Sequence, residues 1–163
     1  MSGGRVHATS RAPAVDVERL VPHRDAMLWI ARVLHVDDDG VVAEATVDDD
    51  HVLADPDGDG LPGWMGIEFM AQAIAAWAGA RALARGEPAR PGFLLGTRRY
   101  ACRRPRLAWG LHLRIEARRE MMGDNGLGMF ACRLLAGDEE IATANVSVYE
   151  PPDPAAFLED TAP

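Results

Sequence analysis

The sequence predicts one α+β domain in which an antiparallel sheet of about five to six strands wraps around one long helix. The chain has 163 residues, which fits a single hydrophobic core. It contains one long apolar stretch typical of a buried helix, with strand-like segments on both sides separated by turn-forming residues. A buried helix followed by hairpin-connected strands indicates a sheet that curves around the helix.

The elements before the helix are short. Residues 17–20 are expected to form a helical turn that ends before a proline, and residues 27–36 to form a first strand. The acidic run 37–40 predicts a hairpin turn, and the alternation over 41–47 predicts a second strand. Residues 51–63 carry glycines and prolines without periodicity, which is typical of a loop.

The helix is predicted from residue 64 to residue 85, a segment rich in alanine, methionine, isoleucine and leucine that ends before Gly86 and Pro88. Apolar residues cover nearly all of its faces, so it should be buried. After a loop, four further strands are expected at residues 93–102, 107–120, 128–135 and 140–149. This element order is that of the hot-dog architecture.

Composition limits both the domain layout and the function. Residues 1–15 and 151–163 are predicted to be tails around a domain at 16–150. A formal net charge of -8 argues against a nucleic-acid binder. No apolar segment approaches the roughly 18 residues of a membrane span, so we expect a cytoplasmic protein. Cys102 and Cys132 lack CxxC spacing, and no metal site is expected.

One polar residue stands out at the start of the helix, in the segment LPGWMGIEFMAQ. An ionised carboxylate on an apolar helix is costly unless it is partnered or lines a cavity, so Glu68 is the best candidate for a functional group. Gln72, one turn later on the same face, can orient it. A backbone N–H of Gly63 or Trp64 at the positive end of the helix would point toward an oxygen that gains negative charge.

This set of groups suits the removal of water from a 3-hydroxyacyl thioester. That reaction needs a base for the C2 proton, a donor for the thioester oxygen and an acid for the leaving hydroxyl. The motif supplies the donor and the acid. A base must come from elsewhere in the chain or from another subunit.

Two motifs carry a resemblance to a known family. LPGWMGIEFMAQ resembles the helix start of bacterial 3-hydroxyacyl-[acyl-carrier-protein] dehydratases, where Pro-Gly precedes an acid and then a glutamine. LVPHRDAMLWIARV, residues 20–33, is similar to the Leu-Pro-His-Arg segment that opens those proteins. The resemblance covers roughly residues 16–150 and is closest to the dehydratase-like proteins of aryl polyene pathways.

The resemblance implies roles for several residues. Glu68 would be the catalytic acid and Gly63 the backbone donor, with Gln72 and Trp64 on the substrate-binding side. The housekeeping enzymes place their basic histidine fourteen residues before the acid, a position that is Ala54 here. His51 lies three residues earlier, and the flexible loop can absorb that offset. We therefore predict His51 as the base, while a catalytically weakened subunit that pairs with an active relative stays possible.

Other basic residues lie outside the helix-start motif. His23 is predicted to be structural, with Arg24 paired to a carboxylate. Five arginines lie within nine positions of an acidic chain: Arg98, Arg99, Arg103, Arg104 and Arg106. Acyl carrier proteins are acidic, so such a cluster could dock one. The alternative is a set of solvent-facing strand arginines without a partner.

The hypothesis is dehydration of 3-hydroxyacyl thioesters on an acyl carrier protein to trans-2-enoyl thioesters, in aryl polyene or fatty-acid-like synthesis. The enzyme would be a homodimer or a heterodimer with a related hot-dog subunit. No cofactor is expected, because the substrate is carried on the phosphopantetheine of the carrier protein. Two alternatives remain: an acyl thioesterase, whose carboxylate activates water, and a non-catalytic partner subunit of a heterodimeric dehydratase.

Overall fold

The computed structural model describes residues 15–51, 53–55 and 57–160. Within them, six antiparallel strands form one sheet in the order β1-β2-β6-β7-β8-β4, and β3 pairs with β5 in a separate ribbon. The strands are β1 (Arg32–Val36), β2 (Gly40–Thr46), β3 (Gly60–Pro62), β4 (Phe93–Cys102), β5 (Arg106–Ala108), β6 (His112–Met122), β7 (Leu127–Ala136) and β8 (Glu139–Tyr149). The helices are α1 (Gly66–Ala84) and α2 (Pro154–Asp160). The predicted hot-dog fold is confirmed.

Helix α1 forms the centre of the hydrophobic core. Its side chains Phe69, Met70 and Ala73 are completely buried and belong to one cluster with the inward-facing residues of the sheet. Burial of a large apolar side chain stabilises a fold by about 1.5–3 kcal/mol. The helix is apolar on nearly all faces because the curved sheet covers one side of it and the N-terminal segment packs against another.

The N-terminal segment is fixed to α1 by a close backbone approach. Leu20 and Val21 are buried, and a Cβ atom added at Gly79 would overlap the carbonyl oxygen of Leu20. Only glycine permits that approach. A short 3-10 helix, Val17–Arg19, precedes this contact and confirms the predicted helical turn.

The first strand is shorter than predicted. The expected strand over residues 27–36 begins only at Arg32. The preceding backbone bonds to a side chain: Gln72 Oε1 accepts the N–H of Trp29 at 2.8 Å, and Gln72 Nε2 donates to the carbonyl of Met27 at 2.8 Å. These backbone groups are thus satisfied by α1, so this stretch need not pair with a strand.

The predicted strand over residues 107–120 is divided in two. Gly110 has a φ of 80°, a left-handed conformation that interrupts the strand between β5 and β6. β5 then pairs with β3, a short strand within the predicted loop 51–63. Apolar and polar residues alternate on both sides of Gly110, so the sequence pattern does not reveal the break.

The C-terminal residues contain a helix where a tail was predicted. The Phe157 ring of α2 lies 4.9 Å from that of Phe93 and 5.5 Å from that of Tyr149, centroid to centroid. Aromatic packing of this kind fixes a short helix that would be unstable alone. The predicted N-terminal tail, residue 15 apart, lies outside the described residues.

Candidate active site

Glu68 lies near the start of α1, and its carboxyl group is held from the next turn. Gln72 Nε2 donates to Glu68 Oε1 at 2.9 Å. Among the described residues, no other side chain hydrogen-bonds this carboxyl group, so Oε2 is available. The Glu68 side chain is 33% exposed, so the acid is neither sealed in the core nor fully solvated.

Gln72 acts as a clamp between the helix and the N-terminal segment. It is completely buried, and its amide contacts the backbone of Met27 and Trp29 as well as Glu68. Its hydrogen-bonding groups are therefore engaged within the protein. The geometry suits a residue that orients Glu68, as predicted from the i, i+4 spacing, and leaves it without access to a substrate.

His23 is the imidazole that the fold brings to Glu68. Its Nε2 lies 3.7 Å from Glu68 Oε1, and its Nδ1 is buried without a hydrogen-bond partner in the described part of the chain. Burial lowers the pKa of His23 below its ordinary value, and the Glu68 carboxylate opposes that shift. Arg24 donates to the carbonyls of Val21 and His23, each at 2.7 Å. It forms no ion pair with a carboxylate of the described residues, so the predicted pairing is not found there.

A cavity of about 110 Å³ begins beside this pair. Such a volume holds several water-sized spheres. One face of α1 lines it with Glu68, Ala71, Ala75 and Ala78. The opposite wall is mostly apolar and includes Phe93, Met122, Phe130, Val148 and Tyr149. An apolar chain in this space would place its polar end against His23 and Glu68.

The helix start differs from the expected oxyanion site. The N–H of Gly63 donates to the carbonyl of Pro105 at 2.8 Å, so it is not free to hold a thioester oxygen. Gly63 is needed sterically, because an added Cβ would overlap the carbonyl oxygen of Arg104. Its own carbonyl accepts the Tyr100 hydroxyl at 2.5 Å. The N–H of Trp64 lies in the first helical turn, where no preceding turn offers a carbonyl.

His51 lies in a different environment from Glu68. Its ring stacks on Trp29, with centroids 4.6 Å apart and planes inclined by 12°, and meets the edge of Phe69. Burial lowers its pKa, and Asp48 opposes the shift. His51 and Glu68 line different cavities. Within the described residues of one chain, the structure therefore does not bring the predicted base to the predicted acid.

The arginine cluster borders the helix start but is only partly free. Arg104 pairs with Glu139 at 2.7 Å, and Arg106 pairs with Asp59 at 3.2 Å. The remaining three arginines, Arg98, Arg99 and Arg103, are exposed and have no ion pair among the described residues. Their segment touches the site through the contacts of Gly63. Trp64, predicted on the substrate side, is 64% exposed beside it.

Two further sequence features have local structural explanations. Asp48, Asp49 and Asp50 form an exposed turn in which the Asp50 N–H donates to Asp48 Oδ1 at 3.1 Å. Cys102 and Cys132 are free thiols. Burial raises the pKa of Cys132 to about 12. Over the described residues, neither helix combines the length and the hydropathy needed to cross a bilayer.

Comparison with known proteins identifies relatives of this chain. The sequence profile of ApeP-like proteins, described as ApeP dehydratase, matches residues 15–159. The dehydratase heterocomplex ApeI:P from Xenorhabdus doucetiae is similar at a TM-score of 0.80 and 31% identity, over 91% of this chain and 99% of that one. No curated protein sequence matches.

More distant structures share the fold alone. The TT0310 protein from Thermus thermophilus has a TM-score of 0.56 at 19% identity, over 78% of this chain and 99% of that one. PH1136 from Pyrococcus horikoshii has a TM-score of 0.60 at 11% identity, over 89% of this chain and 99% of that one. The family resemblance drawn from the two sequence motifs is confirmed.

His23 was predicted to be structural, and Tyr100 was not predicted to contact the helix start. The signal for His23 was present: the Leu-Val-Pro-His-Arg segment and the helix-start motif are the two motifs of the resemblance, and the fold brings them together. Tyr100 lies in a strand pattern where nothing marks a tyrosine whose hydroxyl reaches a helix start. Its contact depends on a β-bulge between Arg98 and Ala101, which no local pattern predicts.

Proposed function

This chain belongs to the ApeP-like dehydratase family, and from that membership we propose that it removes water from 3-hydroxyacyl groups on an acyl carrier protein. The product would be a trans-2-enoyl thioester, formed in aryl polyene or related fatty-acid-like synthesis in the cytoplasm. The observation that carries the proposal is the carboxyl group of Glu68, which Gln72 orients at 2.9 Å beside an apolar cavity.

The proposed roles follow from which atoms are free. The acyl chain lies along the alanine face of α1, and the free Oε2 of Glu68 gives its proton to the departing hydroxyl. The N–H of Trp64, rather than the occupied N–H of Gly63, holds the thioester oxygen as negative charge develops. The elimination moves protons and no electrons to an acceptor, so the proposal includes no cofactor.

A second hot-dog subunit is part of the proposal. β4 is an edge strand, and two of its apolar side chains, Leu94 and Leu95, are 42% and 57% exposed. An exposed edge with apolar side chains favours pairing with another strand. The similar structure from Xenorhabdus doucetiae is a dehydratase heterocomplex. In such a pair, His51 of one subunit would have to serve a carboxylate of the other if it is the base.

Carrier-protein docking is assigned to the free arginines. Arg98, Arg99 and Arg103 are exposed, and an acidic carrier protein would be attracted to them. Arg103 adjoins Arg104, whose carbonyl lies against Gly63, so a carrier protein bound to Arg103 would present its phosphopantetheine arm close to the helix start. Arg104 and Arg106 already have acidic partners, so their contribution to docking is smaller.

The test compares two glutamates of matched exposure. Glu68→Gln removes the proposed acid and keeps its shape, whereas Glu44→Gln changes a sheet glutamate whose side chain is 34% exposed, against 33% for Glu68. The chain, alone and in complex with a hot-dog partner subunit, is mixed with a carrier protein loaded with a 3-hydroxyacyl group. Mass spectrometry follows the loss of one water from the carrier.

Each outcome bears on the proposal. We expect water loss with the wild type and with Glu44→Gln, and a rate about 10²–10⁴-fold lower with Glu68→Gln, the usual effect of removing a general acid. Equal rates for both variants would contradict the role of Glu68. Release of a free acid without an enoyl product would indicate a thioesterase. An inert chain whose partner is active alone would indicate a non-catalytic subunit.

A further inference from the structure

The pair formed by His23 and Glu68 calls for an explanation beyond packing. An imidazole whose Nδ1 is buried without a partner carries a desolvation cost that most proteins avoid. Its other nitrogen, Nε2, lies 3.7 Å from Glu68 Oε1, and both side chains line the same cavity. A purely structural histidine at this position would be expected to use both ring nitrogens in hydrogen bonds.

The segment that carries His23 is built to hold it there. Leu20 and Val21 are buried, and Leu20 meets α1 at Gly79 in a contact that excludes any side chain at that glycine. Arg24 then ties the carbonyls of Val21 and His23 together. Contacts before and after His23 in the sequence therefore hold its ring against α1. A reacting group must be held in position in this way.

We infer that His23 is the base of the proposed dehydration, so that a single chain supplies both proton transfers. This inference rests on the proposed function. It assigns to His23 the step predicted for His51, and it makes the acid and the base neighbours in one subunit instead of groups on two.

The proton transfers balance within the pair. Nε2 of neutral His23 takes the C2 proton, and the electrons of the C2–H bond form the C2–C3 double bond as the C3–O bond breaks. The hydroxyl leaves as water with the proton of Glu68. The pair is then an imidazolium beside a carboxylate, and transfer of one proton from Nε2 to Glu68 restores the starting state. No oxidant or reductant is needed, and both proton transfers occur on groups of one chain.

The charged groups around His23 are compatible with this cycle. Glu68 faces the ring from α1, and Arg24 adjoins it in sequence. Arg90 and Glu150 also line the cavity. The neutral ring is the form that accepts a proton, and burial together with Arg24 favours it, whereas the Glu68 carboxylate stabilises the imidazolium that forms during turnover.

The experiment measures pH–rate profiles for the wild type, His23→Asn, His23→Gln and His51→Asn, using the carrier-bound 3-hydroxyacyl substrate and the chain alone and with its partner subunit. We expect both His23 variants to lower kcat about 10²–10⁴-fold with KM little changed. His51→Asn should retain the wild-type profile. The acid limb of the wild type should have its midpoint below 6.5, the ordinary histidine pKa, and should disappear in the His23 variants.

A folding readout separates chemistry from structure. Melting curves are recorded for all four proteins, and if His23→Asn is unfolded, His23→Gln, which keeps a polar atom near Nε2, supplies the comparison. Two folded His23 variants with wild-type kcat would overturn the inference and leave the dehydratase proposal intact. A loss of activity in His51→Asn alone would assign the base to His51. A wild type that is inert in every form would overturn both proposals.

Discussion

His51 is buried and His23 is partly buried, and burial lowers the pKa of each, yet their surroundings differ. The ring of His51 is stacked on Trp29 and meets Phe69, and its Nε2 is placed to accept the N–H of Asp48 at 3.4 Å. The ring of His23 faces a carboxyl group and a cavity, with Nδ1 unpartnered among the described residues. The first arrangement is that of a packed side chain, the second that of a reacting one.

The two histidines differ in their contacts, and position in a motif does not separate their proposed roles. His51 lies on the loop before the helix, where the family resemblance directs attention. Its ring nevertheless packs on Trp29 and Phe69 and lines a cavity with Asp48 and Asp50, separate from that of Glu68. His23 lies in an N-terminal segment that looks structural in sequence, and α1 turns that segment into one wall of the site through Gly79 and Gln72.

The sharpest test of a shared proton is a double variant. If His23 and Glu68 act as a unit, His23→Asn combined with Glu68→Gln should be no more than about tenfold slower than the slower single variant. Independent groups would multiply their losses of about 10²–10⁴ each. Single-turnover water loss from the loaded carrier protein measures all four rates. A double variant whose rate loss equals the product of the two single losses would show that His23 and Glu68 act independently.

The clamp that Gln72 forms between α1 and the N-terminal segment should make a large contribution to the free energy of unfolding. Gln72→Leu leaves the buried N–H of Trp29 and the part-buried carbonyl of Met27 without their side-chain partner, and an unsatisfied buried group costs about 1–3 kcal/mol. We expect the free energy of unfolding to fall by about 3 kcal/mol, measured by urea titration. Thr97→Val on the exposed edge strand provides a control that should change it by less than about 0.5 kcal/mol. Equal effects would mean that the clamp is not structural.

The glycine contact behind His23 should be intolerant of a methyl group. Gly79→Ala places a Cβ in overlap with the Leu20 carbonyl oxygen, whereas Gly92→Ala meets nothing nearer than 3.6 Å. Overpacking of this kind costs about 1–3 kcal/mol, against the roughly 1 kcal/mol by which alanine is favoured in a helix. We therefore expect a lower melting temperature for Gly79→Ala alone. An unchanged melting temperature would show that the segment can move.

The smallest expected effect concerns acid stability at His51. Its folded-state pKa lies below the unfolded value, so the unfolded chain takes up the proton first as the pH falls. Stability from the neutral ring is full above pH 6.5, the ordinary value, and is lost as the pH falls toward the folded-state pKa. His51→Asn should flatten that loss between about pH 7 and pH 5. Urea titrations across this range, with exposed His112→Asn as the matched variant, measure the slope.

Much of the fold was accessible from sequence because its signals are local. The apolar helix, the acidic turn before β2 and the hairpin-linked strands each follow from residue patterns within a few turns or strand lengths. The division between β5 and β6 was not predicted because it depends on a single left-handed glycine, Gly110. The late start of β1 was not predicted because it depends on a hydrogen bond between Trp29 and Gln72, which are forty-three positions apart.

Contacts of the site that lie within one helix could be predicted from the sequence. Contacts between two different elements could not. Glu68 and Gln72 lie one helical turn apart, so their contact follows from helix geometry. The pairing of His23 with Glu68 joins an irregular segment to a helix. The two motifs mark both segments, but their separation in the sequence does not predict that the two side chains meet. The occupied N–H of Gly63 likewise depends on Pro105, which arrives through the ribbon of β3 and β5.

The most direct test of the central claim labels the base itself. A 3-alkynoyl thioester that loses its C2 proton and takes up a proton at C4 becomes a 2,3-allenoyl thioester. Its C3 is an electrophile to which the nitrogen of the nearest imidazole adds, with a proton taken up at C2. Trypsin separates the candidates, because His23 falls in the peptide of residues 20–24 and His51 in that of residues 33–81. Mass spectrometry of the wild-type protein should place the added mass on His23, and protein incubated without the thioester should carry none. A label on His51 would contradict the account.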